Sequence, residues 1–173
     1  MNLRILTEYD RPAFRALRLE ALRTDPDSFM MTVEEERAIP KLMVEQLLDH
    51  PGTTNFFLGA AQDGALVGMV GMLTSPQRKR RHVGEVLSLY VRPAYRAQGI
   101  GRQLLQTAIR RAFSSPEIQR IKLQVVAGNR YALLLYQNLG FVQTGVEPNA
   151  YHDGERGFDL IDMNLPRPET LFA

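Results

Sequence analysis

The sequence predicts a single-domain α/β protein on one mixed sheet, with its elements in the order βααβββαβαββ. Three observations predict it. Strand-like alternation and helix-like spacing take turns along the chain. The length of 173 residues suits one domain with a sizeable core. No internal repeat or low-complexity linker divides the chain.

Leu3 to Leu6 forms a short first strand. Asp10 then caps a helix that carries Pro12 in its first turn. Phe14, Leu17, Leu19 and Leu22 place apolar groups along one side, and Asp25-Pro26 closes the helix. Phe29 to Ile39 is irregular, and its Glu34-Glu35-Glu36 run is expected to be a solvated acidic loop. Pro40 opens a second helix through about Leu48. Phe56–Ala61 and Leu66–Leu73 are strands joined at Asp63-Gly64, a strong hairpin signal. The strand His82–Val91 follows a basic loop, Arg78-Lys79-Arg80-Arg81. Ile100, Leu104, Leu105, Ala108, Ile109 and Ala112 recur at helical spacing, which gives the next helix one buried face. Ile121, Leu123 and Val125 alternate with polar residues in a strand. A helix from Tyr131 to Leu139 stops at Gly140, a suitable residue just past a helix end. Phe141–Val146 and Phe158–Leu165 form the last pair of strands.

Composition closes several routes. The chain has no cysteine, so disulfides, thiolate nucleophiles and cysteine metal sites are excluded, and a cytoplasmic location is compatible. His50, His82 and His152 lie far apart without ligand spacing, so no metal site is expected. No signal peptide is expected at the N-terminus, and no apolar run approaches the ~18 residues of a membrane span. A net charge of +2 is too weak to imply nucleic-acid binding. Arg78 to Arg81 could attract nucleic acid or an acidic partner, but no aromatic residues interleave, and a solvated loop tip accounts for it better.

The most informative run is Arg96-Ala97-Gln98-Gly99-Ile100-Gly101, set between the strand ending at Val91 and the helix Ile100–Phe113. Glycines at a helix mouth let a ligand approach the backbone closely. The first-turn N–H groups have no partner inside the helix, and the helix dipole favours an anion there. The result is a diphosphate-binding corner. A Walker loop does not fit, because no lysine follows Gly101. A dinucleotide-binding fingerprint does not fit either, because Leu104 stands where the third glycine belongs. The pattern that remains is [QR]-x-x-G-x-[GA], matched by Arg96 to Gly101. A tight strand-to-helix turn with no ligand is the alternative.

Context favours the ligand. Glu85-Val86-Leu87-Ser88-Leu89-Tyr90-Val91-Arg92-Pro93 precedes the pattern. Asn129, then Tyr131 to Tyr136, then Leu139-Gly140-Phe141 follow it. With these segments in this order the chain resembles the GNAT superfamily of N-acetyltransferases over about residues 1–165. That range is taken as the domain, leaving residues 166–173 as a C-terminal tail. The resemblance implies a sheet splayed open at its middle around acetyl-coenzyme A (acetyl-CoA). It also implies a strand bulge near Ser88 to Val91, where the backbone of Leu89, Tyr90 and Val91 binds the pantetheine arm. Gln98, Gly99, Ile100, Gly101 and Arg102 would meet the diphosphate through N–H groups, with Arg96 adding positive charge. Arg102 in the first helical turn opposes the dipole unless an anion is bound. Asn129 would hydrogen-bond the pantetheine, cap its helix, or do both.

Acetyl transfer to an amine needs a free amine, and one with a pKa near ~10.4 is neutral in only about one molecule in a thousand at pH 7. A general base supplies the remedy. Glu85 is the candidate, since glutamate is depleted in strands and the resemblance implies an acidic base here, acting through water. It could equally face solvent or pair with an arginine of the basic loop. His82 is a further option. Tyr136 is the candidate acid and also touches the cofactor. The resemblance points its hydroxyl at the cofactor sulfur, against the alternative of an aromatic core residue. Tyr131 lies about 140° round the helix and cannot share that job.

The expected activity is acetyl transfer from acetyl-CoA to a primary amine of a small molecule or peptide, by direct attack. A homodimer is admitted. The rivals are a non-catalytic acyl-CoA-binding module and an interaction protein using Arg78 to Arg81. The resemblance implies that the acceptor meets the loops at about Phe29–Ile39 and Glu147–Gly157. Tyr151 and His152 could line the same pocket, and Glu34, Glu35 and Glu36 could attract a cationic amine, although a solvated acidic loop is the expectation for them.

Overall fold

The computed structural model describes residues 1–168. β1 (Asn2–Ile5) is followed by α1 (Arg11–Thr24). Asp10 occupies the N-cap position of α1, but its carboxylate turns back to the Thr7 amide (2.9 Å) and to Arg4. Phe14, Leu17, Ala21 and Leu22 form the buried face of α1.

The acidic stretch is not a solvated loop. It folds as α2 (Val33–Ala38). Thr32 accepts from the Glu35 amide at 3.2 Å, and the Glu35 carboxylate accepts from the Thr32 amide at 2.7 Å. This reciprocal box nucleates a helix of only six residues. Glu36 within it is completely buried. The helix expected from Pro40 begins instead as a 3-10 turn, Met43–Glu45, and continues as α3 (Gln46–Asp49). Glu45 reaches back to the Leu42 amide at 3.0 Å, which starts the helix after Leu42 rather than at the proline.

β2 (Phe56–Gln62), β3 (Ala65–Thr74) and β4 (Val83–Val91) follow as an antiparallel meander. Asp63 and Gly64 turn the first hairpin with positive φ at both residues, 51° and 80°. α4 (Ile100–Phe113) crosses to β5 (Arg120–Val126), which lies parallel to β4. α5 (Arg130–Gln137) leads through Gly140, at φ 90°, into β6 (Val142–His152) and β7 (Gly157–Pro166). The sheet order is β1-β2-β3-β4-β5-β7-β6.

β6 is longer than its sequence pattern suggests. Residues Glu147 to His152 belong to it, and the loop before β7 shrinks to 153–156. β6 is a mostly exposed edge strand paired only with β7. It is bulged between Glu147 and Tyr151, with Asn149 at φ 50°. Nothing in such a strand demands apolar alternation. At the far end β7 runs to Pro166, and Arg167 donates to the carbonyls of Phe113, Ser115 and Ile118 at 2.6–3.0 Å. Pro166 and Arg167 thus stay with the sheet, and residues 169–173 of the expected tail lie outside the described residues.

The sheet carries a core on each face. Phe14 and Leu17 of α1 pack with Leu6, Phe57 and Met69 on one side. Leu104, Leu105 and Ala108 of α4 pack with Phe56, Val70 and Met72 on the other. α4 sits so close that a Cβ on Gly68 would lie 3.0 Å from Leu104 Cδ1. Leu104 is fully buried. Leu104→Ala is expected to cost ~2–5 kcal/mol of stability, measured by urea unfolding.

β4 and β5 pair only at Val83↔Arg120, Gly84↔Ile121 and Glu85↔Lys122. Beyond these three pairs the strands part, as the expected splay requires. Parallel strands that separate at a crossover leave a crevice at their carboxyl ends, the usual place for a ligand in such sheets.

Candidate active site

One side of the crevice is the corner before α4. The first helical bond runs from the Gln103 amide to the Gly99 carbonyl, at 3.0 Å. The amides of Gly99, Ile100, Gly101 and Arg102 therefore have no carbonyl within the helix. Ala97 and Gly99 both take positive φ, 60° and 78°, to turn the chain into this mouth. A Cβ on Gly101 would meet only ordinary contacts, Val91 Cγ2 at 3.7 Å and Leu135 Cδ2 at 3.9 Å. The protein's own packing does not require a glycine there, whereas close approach of a ligand would. The Ile100 side chain is buried in the core, so Ile100 offers only its amide. Gln98 and Arg102 are exposed. Arg96 is committed to the turn itself: its Nε donates to the Val91 carbonyl at 2.9 Å, its guanidinium pairs with Asp25, and it lies 5.5 Å from the centre of the Tyr90 ring.

The middle of the crevice is β4. Met69 pairs with Tyr90, but Gly71 pairs with Leu87, so β4 carries one residue more than β3 between these points. This is a bulge, and Ser88 within it has φ 54°. Beyond the resemblance, no local pattern of residues marks it. Leu89 and Val91 pack their side chains against the α4 core, and Tyr90 is buried. The Tyr90 hydroxyl shares a hydrogen bond with Thr24 Oγ1 at 2.9 Å and donates to Glu20 at 3.2 Å. Burial, chiefly, raises its phenol above the usual tyrosine range. The Tyr90 side chain is thus committed to the core, while Leu89 lines the cavity described next.

Between β4 and β5 lies a cavity of about 720 Å³. Glu85 to Leu89 form one wall and Leu123 to Val126 the other, and segments between Ser28 and Val44 cover it. Glu85 and Tyr136 both line it. Tyr136 comes from α5 and is 7% exposed. Burial alone pushes its phenol up to about 12, so the hydroxyl keeps its proton at any ordinary pH. Glu85 is half-exposed and pairs with Lys122 across the last rung of the β4–β5 ladder, at 3.0 Å. The partner is this strand neighbour and not an arginine of the basic loop. An ion pair so exposed is worth about 1 kcal/mol or less, so the carboxylate is readily released to another partner.

Asn129 caps α5, accepting from the Ala132 amide at 3.1 Å, and donates to Ser28 Oγ at 3.2 Å. Tyr131 is 90% exposed, as its angular offset from Tyr136 requires. His82 precedes β4 and is not among the residues lining the cavity. Tyr151 does line it, with its hydroxyl donating to the Asp27 carbonyl and its ring stacked on Phe158 at 4.7 Å. His152 instead serves the hairpin turn, where its Nδ1 accepts from the Gly154 amide at 2.9 Å. Arg78 to Arg81 form an exposed turn, with Arg81 paired to Glu117. Among the described residues no group of three or more His, Asp or Glu is placed to hold a metal, and no helix is long and apolar enough to cross a membrane.

Arg18 and Glu36 also line the cavity; the sequence reading passed over Arg18 and placed Glu36 in a solvated loop. Arg18 Nε donates to the Glu36 carboxylate at 2.9 Å, and Arg18 Nη1 donates to Ser88 Oγ at 2.9 Å. A signal was present. Arg18 stands four residues after Phe14 and four before Leu22, on the apolar face of α1, where an arginine needs a buried partner.

Comparison with known proteins places the fold in a family. A model of the acetyltransferase (GNAT) family matches residues 9–141. Phosphinothricin N-acetyltransferase of Alcaligenes faecalis is 29% identical over 165 residues, covering 95% of this chain and 82% of that protein. The ribosomal protein bS18-alanine N-acetyltransferase of Escherichia coli is 33% identical over 81 residues, 47% of this chain and 54% of that protein. The crystal structure of a GNAT-family acetyltransferase from Streptococcus pneumoniae has a TM-score of 0.77 at 25% identity, covering 95% of this chain and 98% of that one. With the family match spanning most of its length, the chain belongs to the GNAT family of acetyltransferases.

Proposed function

We propose that this chain acetylates a primary amine by direct attack, with Glu85 drawing off the amine proton through water and Tyr136 returning one to the departing sulfur. As a GNAT acetyltransferase the chain takes its acetyl group from acetyl-CoA. The cofactor supplies a thioester, an acyl group already activated toward an amine. The residues suit such a ligand: unpartnered amides at the mouth of α4, a glycine that the packing does not require, and a crevice between β4 and β5.

The observation that carries the proposal is the one cavity lined by both Glu85 and Tyr136. In this reading the amides of Gln98 to Arg102 hold the diphosphate. Arg96 braces the turn that presents them and adds positive charge. The bulge at Leu87 to Leu89 releases backbone groups from the ladder, and a freed N–H is what the thioester oxygen needs as it gathers charge. The backbone of Leu89, Tyr90 and Val91, together with Asn129, holds the arm. Tyr136 stays protonated and so is always able to donate.

The acceptor faces the cover formed between Ser28 and Val44. Relatives of both kinds are known: one is named for phosphinothricin, another for the alanine of a ribosomal protein. A cytoplasmic location fits the cysteine-free sequence. An acetyl-CoA turnover screen across polyamines, amino acids, aminoglycosides and peptide N-termini identifies the acceptor class.

Glu85→Gln then tests the base. At pH 7 the rate should fall by about 10- to 100-fold. The loss should shrink as the pH rises, because the amine then becomes neutral without help. An equal loss at every pH from 6 to 9 would assign Glu85 to acceptor binding or structure instead.

A further inference from the structure

Ser88 has φ 54°, a conformation that a residue with a side chain keeps only when its surroundings hold it. What holds it comes from far away in the chain. Arg18 of α1 reaches across to donate to the Ser88 hydroxyl at 2.9 Å. The same guanidinium donates from Nε to both Glu36 oxygens, at 2.9 and 3.2 Å, and lies 4.9 Å from the centre of the Phe29 ring. The Arg18 side chain is 12% exposed and that of Glu36 is fully buried.

We propose that Arg18 is a positioning residue for acetyl transfer: it pins the β4 bulge through Ser88 and, through Glu36, makes the acceptor-side helix part of the same support. This rests on the acetyl-transfer reading above. A buried ion pair is seldom explained by stability, since an apolar pair of similar volume does as well or better. This one is explained by what it joins. The planar guanidinium addresses two partners along fixed directions, which a lysine ammonium cannot do. One partner sits in the bulge that frees backbone groups for the thioester. The other belongs to α2, which Arg15 also docks by donating to the Glu36 carbonyl at 2.7 Å and to the Ile39 carbonyl. Phe29, Glu36 and Ile39 line the cavity on the acceptor side. Arg18 therefore joins the wall that seats the amine to the wall that seats the thioester, and disturbing one disturbs the other.

The test uses two variants. Ser88→Gly removes the hydroxyl while leaving positive φ freely accessible. Arg18→Met with Glu36→Leu replaces the ion pair by an apolar pair, because removing Arg18 alone would strand a buried charge. Each should lower kcat by about 10- to 100-fold, the cost of small misplacement at a reacting centre. Each should also speed amide hydrogen exchange at residues 86–90 and lower acetyl-CoA affinity far less than kcat, since the α4 amides that hold the diphosphate are untouched. Combining all three substitutions should cost no more than Arg18→Met with Glu36→Leu alone, because that variant already breaks the contact to Ser88. Wild-type kcat and exchange in Ser88→Gly would overturn the proposal, since backbone freedom would then suffice. A loss of kcat matched by loss of acetyl-CoA affinity and of melting temperature would overturn it as general damage. The exchange measurement needs no turnover. A wild-type protein that acetylates nothing would refute the activity, while exchange at 86–90 would still decide the pinning.

Discussion

Tyr136→Phe is expected to lower turnover by ~10- to 1000-fold while leaving the fold and the affinity for acetyl-CoA in place. Tyr136 sits in the main core cluster, with its ring 5.9 Å from that of Phe141. Phenylalanine fills the same space, so the substitution removes only the hydroxyl. Burial pushes that hydroxyl up to about 12, above its unfolded value near 10, so it remains a donor until the pH approaches the raised value. The deficit should therefore be the same at every pH from 6 to 9. That flat loss separates it from Glu85→Gln, whose deficit fades as the amine deprotonates. Initial rates of thiol release measure both, and the cysteine-free chain adds no thiol of its own. A variant as fast as wild type throughout would make Tyr136 a core residue and nothing more.

Gly101→Val should weaken acetyl-CoA binding by at least ~10-fold without unfolding the protein. Gly101 makes a sharper test than Gly99. Gly99 has φ 78°, where any side chain is strained whatever the ligand does. Gly101 lies inside α4, and a Cβ there meets Val91 and Leu135 only at ordinary contact distance. A loss of affinity would therefore report the ligand's approach and not damage to the turn. Calorimetry with acetyl-CoA measures it, alongside a melting curve. Unchanged affinity, or tighter binding of NAD or ATP than of coenzyme A, would remove the diphosphate from this corner.

The parts of the fold that were legible in the sequence are those whose cause is local. Asp63-Gly64 specifies its own turn, and Leu104, Leu105 and Ala108 declare the buried face of α4 at helical spacing. The glycine pair and Tyr136 could be placed because they sit in short contiguous motifs. What escaped has distant causes. Glu36 looks like part of an acidic run until Arg18, eighteen residues earlier, is seen to bury it. α2 is too short to show apolar periodicity, and only the Thr32–Glu35 box marks it. The last residues of β6 look like a loop because an exposed edge strand has no need to alternate. The slip at Ser88 depends on the register of β3 against β4, which no single segment encodes.

The brevity of the β4–β5 seam has a mechanical meaning. Two plates, β1 to β4 and β5 to β7, are joined edge to edge at three residue pairs, and the last of them is Glu85↔Lys122. If the plates swing apart or together, the displacement is least at the vertex and grows along each arm. Glu85 stands at that vertex, while Ser88 and Tyr90 lie farther out along one arm and Val125 and Val126 along the other. A breathing motion wide enough to admit a long flexible ligand would thus move the carboxylate least of all, and its aim would survive each opening.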